Sequence, residues 1–371
     1  MKLEPFEMER WQSEWENRVE YNLSESSVYP LTLRELLDSD PLEPFLDMPL
    51  GYSQTNGTPE LRERIAALYP GATVDSVLVT NGAAEANFLA IWHLIEPGDE
   101  IVLMLPNYMQ IWGLARALGA SVVPFHLRED CHWAPDLAEL ARAVSARTKL
   151  IAVCNPNNPT GAILREAEMQ AIVEAARRAG AWLLADEVYQ GAERDSPPTP
   201  SFWGLYDKVL ITNGLSKSYG LPGLRVGWLV APRELIARLW AGHDYTTITI
   251  GPVSDSLACL ALTPPHRRRI WDRTRRILRE NYPLLEQWIA ANPGLFRLIP
   301  PAAGAIAYLQ YSREINSTEL ARKLRDEQSV LVVPGDHFGM DHYLRINYGP
   351  PPGCLEAGLQ RIQETMRALR R

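Results

Sequence analysis

Residues 149–161 read KLIAVCNPNNPTG, a mostly apolar run that stops abruptly at a cluster of asparagines and prolines. A short apolar run bounded by turn-forming residues is typical of a strand that is buried on both faces of a sheet. The rigid turn that follows would place side-chain amides at the end of that strand. The segment therefore predicts both a central strand and a first candidate part of a functional site.

The same alternation of apolar runs and helical stretches extends to both sides of this segment. Helices are indicated between the runs, with starts near Ala83 and Met109 and a clear helical period over 165–180. Strands that are apolar on both faces and separated by helices predict a mostly parallel sheet, and ligands bind at the carboxyl edge of such sheets. The other predicted strands cover residues 76–80, 100–106, 120–125, 181–186 and 208–213.

The pattern changes after Pro252. An arginine-rich helical stretch over about 265–292 is followed by short strands and two further helices, which is typical of a smaller α+β domain. A chain of 371 residues has room for two domains at roughly 150 residues each. We expect a large domain over 46–260 and a small domain formed by 1–45 and 261–371.

An apolar stripe at helical spacing in the first 20 residues predicts an amphipathic helix. This helix either packs against the body of its own chain or presents its aromatic residues to a second subunit, and the sequence leaves both interpretations open. The stripe consists of Met8, Trp11, Trp15 and Val19.

Charge and composition narrow the possible functions. Acidic residues outnumber basic ones by 45 to 37, which gives a net charge of −8 and disfavours a protein that binds nucleic acid by neutralising phosphates. No apolar stretch reaches the length of a membrane span, and the acidic first residues do not resemble a secretion signal. The four cysteines are scattered, without the spacing of a zinc site. We expect a cytoplasmic protein with no metal and no nucleic-acid or membrane partner.

A possible phosphate site follows the predicted strand 76–80. Gly82, Ala83 and Ala84 come directly after this strand and open a helix. Backbone N–H groups at the positive end of a helix dipole bind phosphate well when the side chains are small. An ordinary turn from strand to helix would show the same residues, so this signal is weak by itself.

Asp186 and Lys217 are the candidate reactive groups. Asp186 ends an otherwise apolar strand, where a carboxylate is costly unless it meets a cation or hydrogen-bond donors. Lys217 follows the strand 208–213 in a loop of small residues, and Arg225 comes eight residues later. A neighbouring arginine would lower the pKa of the lysine amine toward nucleophilic use. A buried ion pair at Asp186 and a solvated Lys217 are the structural alternatives.

Three motifs occur in order: NPNNPTG (155–161), ADEVYQG (185–191) and LSKSYGLPGLRVGW (215–228). Together they resemble the signature of the class I/II aminotransferases, and the resemblance extends from about Tyr52 to Arg345. It implies an α/β protein of the fold-type-I transferases that depend on pyridoxal 5′-phosphate (PLP). Such a protein has a large domain with a mostly parallel sheet and a smaller α+β domain.

The resemblance also implies roles for the residues that match these motifs. Lys217 takes the place of the lysine that holds the cofactor as a Schiff base and moves the Cα proton. Asp186 matches the carboxylate that pairs with the pyridine nitrogen of the ring, which keeps the ring able to accept electrons. Tyr189 and Asn158 match the residues that hydrogen-bond the phenolic oxygen, and Tyr108 resembles the aromatic residue that stacks on the ring.

The same resemblance assigns the phosphate and the substrate. Arg345 resembles the arginine that binds the substrate α-carboxylate through a bidentate contact, and Asn158 and Tyr29 are assigned to the substrate as well. Tyr52 resembles a tyrosine that crosses to the phosphate of a neighbouring subunit, which implies a homodimer. The phosphate site is assigned to Gly82, Ala83, Ala84, Ser216, Arg225 and Tyr52. Relatives often carry serine at the position of Gly214 and a polar side chain at Ala83 or Ala84.

The expected function is transfer of an amino group from an L-amino acid to a 2-oxo acid. Residues 23–37 also resemble PLP-dependent enzymes of the capreomycidine synthase type, which eliminate a β-hydroxyl from a hydroxylated amino acid and close a ring. Both reactions use the same motif residues, so the motifs leave this alternative open. A PLP-binding transcription factor is disfavoured because the sequence shows no helix-turn-helix pattern and no basic patch. Side-chain specificity is expected from Ser24, Glu25, Ser26 and Tyr29 and from residues 245–250.

Overall fold

The computed structural model describes residues 3–369, which form an α/β architecture. The N-terminal segment contains α1 (Glu7–Trp15), β1 (Tyr21–Asn22), α2 (Leu33–Leu37) and α3 (Glu43–Leu46). The central region begins with α4 (Pro59–Ala66), β2 (Val77–Thr80), α5 (Ala83–Leu94), β3 (Glu100–Leu105), α6 (Gln110–Ala117), β4 (Ser121–Arg128), β5 (Ala134–Pro135) and α7 (Leu137–Ala143). It continues with β6 (Thr148–Cys154), α8 (Glu166–Ala179), β7 (Trp182–Asp186), β8 (Val209–Gly214), β9 (Gly227–Val230), α9 (Arg233–His243) and α10 (Pro252–Leu262). The C-terminal region contains α11 (Pro264–Ala290), β10 (Phe296–Leu298), β11 (Ile306–Tyr311), α12 (Ser317–Gln328), β12 (Val330–Leu331), β13 (Val333–Pro334), β14 (Tyr343–Asn347) and α13 (Pro352–Ala368).

The central sheet has eight strands in the order β2-β9-β8-β7-β6-β3-β4-β5. Five neighbouring strands, from β8 to β4, are parallel, so the mostly parallel sheet is confirmed. Strands β9 and β5 run against their neighbours. The sequence did not predict β9, because its four residues follow directly on the Arg225 motif and look like the end of a loop.

Both faces of the sheet are buried, as the apolar strands predicted. Along β6, Ile151 and Val153 belong to one apolar cluster, whereas Leu150 and Ala152 belong to the cluster on the other face. Each fully buried side chain of this size contributes about 1.5–3 kcal/mol relative to an exposed one. This double burial fixes the register of the strands, since a shift by one residue would exchange the two faces.

The register of the parallel strands brings the motif residues together. Cys154 at the end of β6 lies beside Asp186 at the end of β7, and Asp186 lies beside Thr212 in β8. The turn with Asn158 and the loop with Lys217 follow these strand ends. All three motifs therefore meet at the carboxyl edge of the sheet.

A second sheet of four strands, in the order β10-β11-β14-β13, is formed by the C-terminal region. The N-terminal segment joins this region, because β1 pairs in parallel with β12 through Tyr21 and Val330. This pairing supports the proposed assignment of residues 1–45 and 261–371 to one domain. Within residues 3–369, none of the helices combines the length and the apolar character needed to cross a membrane.

The N-terminal helix packs on its own chain, which agrees with the first of the two interpretations of its apolar stripe. Met8 is buried, and the Trp11 indole N–H donates a hydrogen bond of 2.8 Å to the carbonyl oxygen of Val332. Trp15 lies against the Arg325 guanidinium at 3.9 Å. Val19 lies beyond the end of α1, so the stripe is shorter than predicted.

Candidate active site

A cavity of about 280 Å³ opens at the carboxyl edge of the central sheet. Side chains from the strand ends form one wall, and α1 with the segment that follows it forms the opposite wall. Most of the residues predicted for the site line this cavity. They are Ala83, Ala84, Tyr108, Asn158, Asp186, Tyr189, Ser216, Lys217 and Arg225.

Asp186 is a buried carboxylate with two hydrogen-bond donors. Val188 N–H donates to Oδ1 at 3.2 Å, and the Asn87 amide donates to Oδ2 at 3.3 Å. Burial raises the pKa of Asp186 from 3.8 to about 6, although both donors and Lys217 oppose this rise. A buried carboxylate with a raised pKa is well suited to hold a protonated ring nitrogen, since a cation at that point stabilises the charged form.

Asn87 is a part of the site that the sequence analysis missed. It follows Ala83 and Ala84 in α5 by one helical turn, so the three residues share one face of the helix. Given the predicted helix start at Ala83, this helical spacing would have predicted that Asn87 faces the site.

Lys217 lies partly buried at the start of the loop after β8. Its Nζ donates a hydrogen bond of 2.7 Å to the Ser26 hydroxyl, which comes from the N-terminal segment. Burial lowers the pKa of Lys217, although Glu25 opposes this effect, and Arg345 lowers the pKa further. The pKa is therefore depressed as the sequence predicted, but the main causes are burial and Arg345 rather than Arg225.

The first turn of α5 forms the end of the cavity where the sequence predicts a phosphate site, which we call the phosphate end. Gly82 precedes the helix with φ of +81°, and Ala83 and Ala84 present the N–H groups that have no partner within the helix. A Cβ at Gly227 would lie 2.4 Å from the amide nitrogen of Ala83, and one at Gly214 would lie 2.9 Å from the carbonyl oxygen of Val226. This close backbone packing leaves little room for a side chain at Gly214 or Gly227.

Arg225 completes the phosphate end of the cavity. A Cβ at Gly82 would lie 2.5 Å from Nη2 of Arg225, which places the guanidinium directly beside the start of α5. Gly82 itself does not line the cavity and acts through this backbone turn. The arrangement gives an oxyanion several N–H donors and one cation.

Arg345 is almost fully buried behind the cavity wall. Its Nη1 donates to the Asn158 side-chain oxygen at 3.0 Å, and its Nη2 donates to the Ser24 carbonyl oxygen at 2.5 Å. Among the described residues its Nε has no partner. The structure therefore brings together two residues that the sequence assigned to the substrate, Arg345 and Asn158.

Two predicted residues lie away from the cavity of this chain. Tyr52 is 87% exposed and does not line the cavity, so its predicted role at a second subunit stays a prediction. Tyr29 is 38% exposed and packs against the Arg273 guanidinium at 4.5 Å, so the structure does not bring it to the other substrate residues.

The comparisons with known proteins agree with this geometry. The family model described as aminotransferase class I and II matches residues 48–362. The chain belongs to the class I and II aminotransferase family. Its members depend on PLP, are mostly aminotransferases, generally act on amino and oxo acids, and form dimers.

Similar proteins within this family include enzymes with different reactions. The chain is 33% identical to capreomycidine synthase of Streptomyces vinaceus, over 97% of this chain and 93% of that protein. It is 29% identical to an aspartate aminotransferase of Streptomyces avermitilis, over 85% and 81% of the two chains. A solved PLP-dependent aminotransferase of Streptococcus suis superimposes with a TM-score of 0.93 at 34% identity and full coverage of both chains.

The cofactor of this family member is PLP, and the residues of the cavity fit it. Asp186 offers a buried carboxylate for the ring nitrogen. Tyr189 is 2% exposed, and its hydroxyl has no hydrogen-bond partner among residues 3–369, which leaves a donor for the phenolic oxygen. The start of α5 and Arg225 offer a cradle for the phosphate. No cluster of three metal-ligating side chains occurs within the described range.

Proposed function

We propose that this protein is a PLP-dependent aminotransferase that moves an amino group from an L-amino acid to a 2-oxo acid. The observation that carries this proposal is the position of Lys217, which lines the same cavity as Asp186 and Asn158. When bound there, PLP supplies an aldehyde that condenses with amines and a ring that accepts the electron pair left at Cα.

Each side chain in the cavity has a proposed task. Lys217 would hold the cofactor through its amine and would then take the proton from Cα of the substrate, because this amine has a depressed pKa and is neutral more readily than a free lysine. Asp186 holds the proton on the ring nitrogen. Tyr189 and Asn158 donate hydrogen bonds to the phenolic oxygen, and Tyr108 contacts the face of the ring.

Substrate binding is assigned to Arg345, which fixes the α-carboxylate. The Asn158 and Ser24 contacts hold the guanidinium in one orientation, and its Nε has no partner among the described residues. A planar guanidinium in fixed orientation suits bidentate binding of a carboxylate. This contact would place Cα of the amino acid within reach of Lys217.

A homodimer with two shared sites is part of the proposal. Several large apolar side chains of the single chain are mostly exposed, and a second copy of the chain would cover them. Tyr52 would then reach the phosphate site of the partner subunit. The exposed side chains are Leu46, Leu50, Tyr52 and Tyr245, at 70%, 80%, 87% and 91%.

The likeness to capreomycidine synthase favours a second candidate, a PLP-dependent β-elimination and cyclisation of a hydroxylated amino acid. The two reactions differ in what happens to the amino group. A transaminase holds the amino group after the first half-reaction and needs an oxo acid to accept it, whereas an eliminase or cyclase needs only one substrate.

A stoichiometry experiment separates the two candidates. The purified enzyme is given a panel of single amino acids, including β-hydroxylated ones, without any oxo acid. An aminotransferase releases about one equivalent of 2-oxo acid per subunit and stops until an oxo acid is added. Many turnovers of one amino acid without an acceptor would contradict the proposal and support elimination.

A further inference from the structure

Three carboxylates line the wall of the cavity opposite the sheet: Glu9 and Glu16 of the α1 region, and Glu25 of the segment that follows. Glu9, Gln12 and Glu16 are spaced by three and four residues, so they share one face of the helix. We call Glu9, Glu16 and Glu25 the acidic wall. The apolar stripe of the same helix faces the protein interior, and the acidic wall faces the site.

None of the three carboxylates of the acidic wall forms an ion pair within residues 3–369, although Glu9 and Glu25 lie near enough to Lys217 and Arg345 to raise the pKa of both cations. Glu9 accepts a hydrogen bond of 2.8 Å from the Tyr108 hydroxyl, which is a neutral donor. Burial raises the pKa of Glu16, and the negative charges of Glu25 and Glu9 raise it further. The three groups are therefore close enough to repel one another at the edge of a partly dry cavity.

The cations nearest to the acidic wall are already engaged. The Arg345 guanidinium donates to Asn158 and Ser24, and the Lys217 amine donates to Ser26. On the sheet side the cavity adds the Asp186 carboxylate. Like charges without a partner are costly in such a place, and a bound cation would offset that cost.

A metal ion does not suit the acidic wall. Its carboxylates do not come together as a group that holds a metal, and the same is true of every other acidic, histidine or cysteine cluster in the described chain. The three carboxylates are instead spread along the wall, which is the arrangement that an extended organic cation would contact. One further buried group indicates that a polar ligand completes this cavity, because the Tyr189 hydroxyl has no partner among the described residues and Tyr189 lines the cavity.

We propose that the acidic wall binds the cationic side chain, a guanidinium or an ammonium group, of the L-amino acid substrate. This inference rests on the proposed function, because Arg345 and Lys217 fix the α-carboxylate and Cα and thereby direct the side chain. Arg345 holds the carboxylate, and the acidic wall, whose Glu9 and Glu25 are chain neighbours of the Arg345 contacts Met8 and Ser24, receives the side chain. Substrate specificity is then set by residues of the N-terminal segment.

The test uses two ligands that lack an α-amino group and therefore cannot react. The first, 5-guanidinopentanoate, has the carboxylate and side chain of arginine. The second, 5-ureidopentanoate, has nearly the same shape without the positive charge. Dissociation constants for both are measured by calorimetry on the PLP-loaded enzyme. An ammonium counterpart, 6-aminohexanoate, distinguishes the two kinds of cation.

We expect the guanidino compound or the amino compound to bind at least tenfold more tightly than the ureido compound, since a charge-assisted contact is worth roughly 1.5–3 kcal/mol. Glu16→Gln and Glu25→Gln should each weaken binding of the cationic ligand about tenfold and leave the ureido compound unchanged. Glu14→Gln is the matched control, because Glu14 lies on the exposed face of α1 in an ion pair with Arg10.

Equal binding of charged and uncharged ligands, or cationic binding that Glu16→Gln and Glu25→Gln leave intact, would overturn the inference. So would turnover that prefers neutral or acidic amino acids to arginine, ornithine and lysine. Failure of the proposed function has a different signature, because the PLP-loaded enzyme would then turn over a single amino acid many times without an oxo acid.

Discussion

The Lys217 amine lies 2.7 Å from the Ser26 hydroxyl oxygen, so the N-terminal segment contacts the reactive nitrogen directly. Ser26 is itself buried, at 6% exposure. The hydroxyl accepts a hydrogen bond from the ammonium form of Lys217 and thus favours the charged state. The N-terminal segment therefore both closes the cavity and, through Ser26, favours the charged state of the Lys217 amine.

Ser26→Ala should therefore lower the pKa of Lys217. A hydrogen bond to a charged group is worth roughly 1.5–3 kcal/mol, which corresponds to about one to two pKa units. The rate at which cofactor-free enzyme takes up PLP depends on the neutral amine, so the pH midpoint of this rate should move about one to two units lower. Ser13→Ala, on the exposed face of α1, serves as control. An unchanged midpoint in Ser26→Ala would show that the contact does not control the amine.

Asp186→Asn should stabilise the cofactor-free protein above pH 6 and reduce activity by more than a hundredfold. The pKa of Asp186 is about 6 when folded, against 3.8 ordinarily, so the folded state binds more protons between these values. Folding stability is thus lost as pH rises from about 4 to 6, by about 2–3 kcal/mol.

Denaturant unfolding of both cofactor-free proteins at several pH values checks this prediction. The free energy of unfolding of Asp186→Asn should exceed that of the parent by an amount that grows from pH 4 to pH 6 and then stays constant. If this difference in the free energy of unfolding does not change with pH, burial does not raise the pKa of the Asp186 carboxyl. Activity equal to that of the parent would remove Asp186 from the mechanism.

Tyr189→Phe should have opposite effects with and without cofactor. The Tyr189 hydroxyl has no partner among the described residues, so its removal should stabilise the cofactor-free protein by about 1 kcal/mol or leave it unchanged. With PLP bound the variant lacks one donor, and kcat should fall about tenfold. Tyr348→Phe is the contrast, since the Tyr348 hydroxyl donates to the Gly304 carbonyl oxygen at 2.6 Å. If Tyr189→Phe loses as much stability as Tyr348→Phe, the Tyr189 hydroxyl is not an unpartnered group in the cofactor-free protein.

Arg345→Lys should raise KM for the amino donor about 10–100-fold while PLP binding is unchanged. A lysine cannot reproduce the planar contact to a carboxylate or the simultaneous contacts to Asn158 and Ser24. Steady-state kinetics with cofactor titration separates the two quantities. If KM stays the same, the carboxylate is bound elsewhere.

Much of the fold could be predicted from the sequence because the apolar pattern of a strand is local. The runs ending at Cys154, Asp186 and Asn213 predicted β6, β7 and β8 to within a residue or two, and parallel strands necessarily align their carboxyl ends. The direction of β9 could not be predicted from the sequence, because antiparallel pairing depends on the path of the chain after Arg225.

The side of the cavity formed by the N-terminal segment was harder to predict. The spacing of Met8, Trp11 and Trp15 indicated a helix, but it did not reveal that Glu9 and Glu16 would face the site. That orientation depends on the pairing of β1 with β12, a contact more than 300 residues apart in the chain. Only Glu25 was expected near the substrate.

The position of the cofactor linkage tests the central claim most directly. The PLP-loaded enzyme is reduced with borohydride, digested, and its lysine-containing peptides are analysed by mass spectrometry. The chain has five lysines: Lys2, Lys149, Lys208, Lys217 and Lys323. We predict a reduced phosphopyridoxyl group on Lys217 and its loss in Lys217→Ala. A label on another lysine, or no label on a protein that is fully active, would contradict the account.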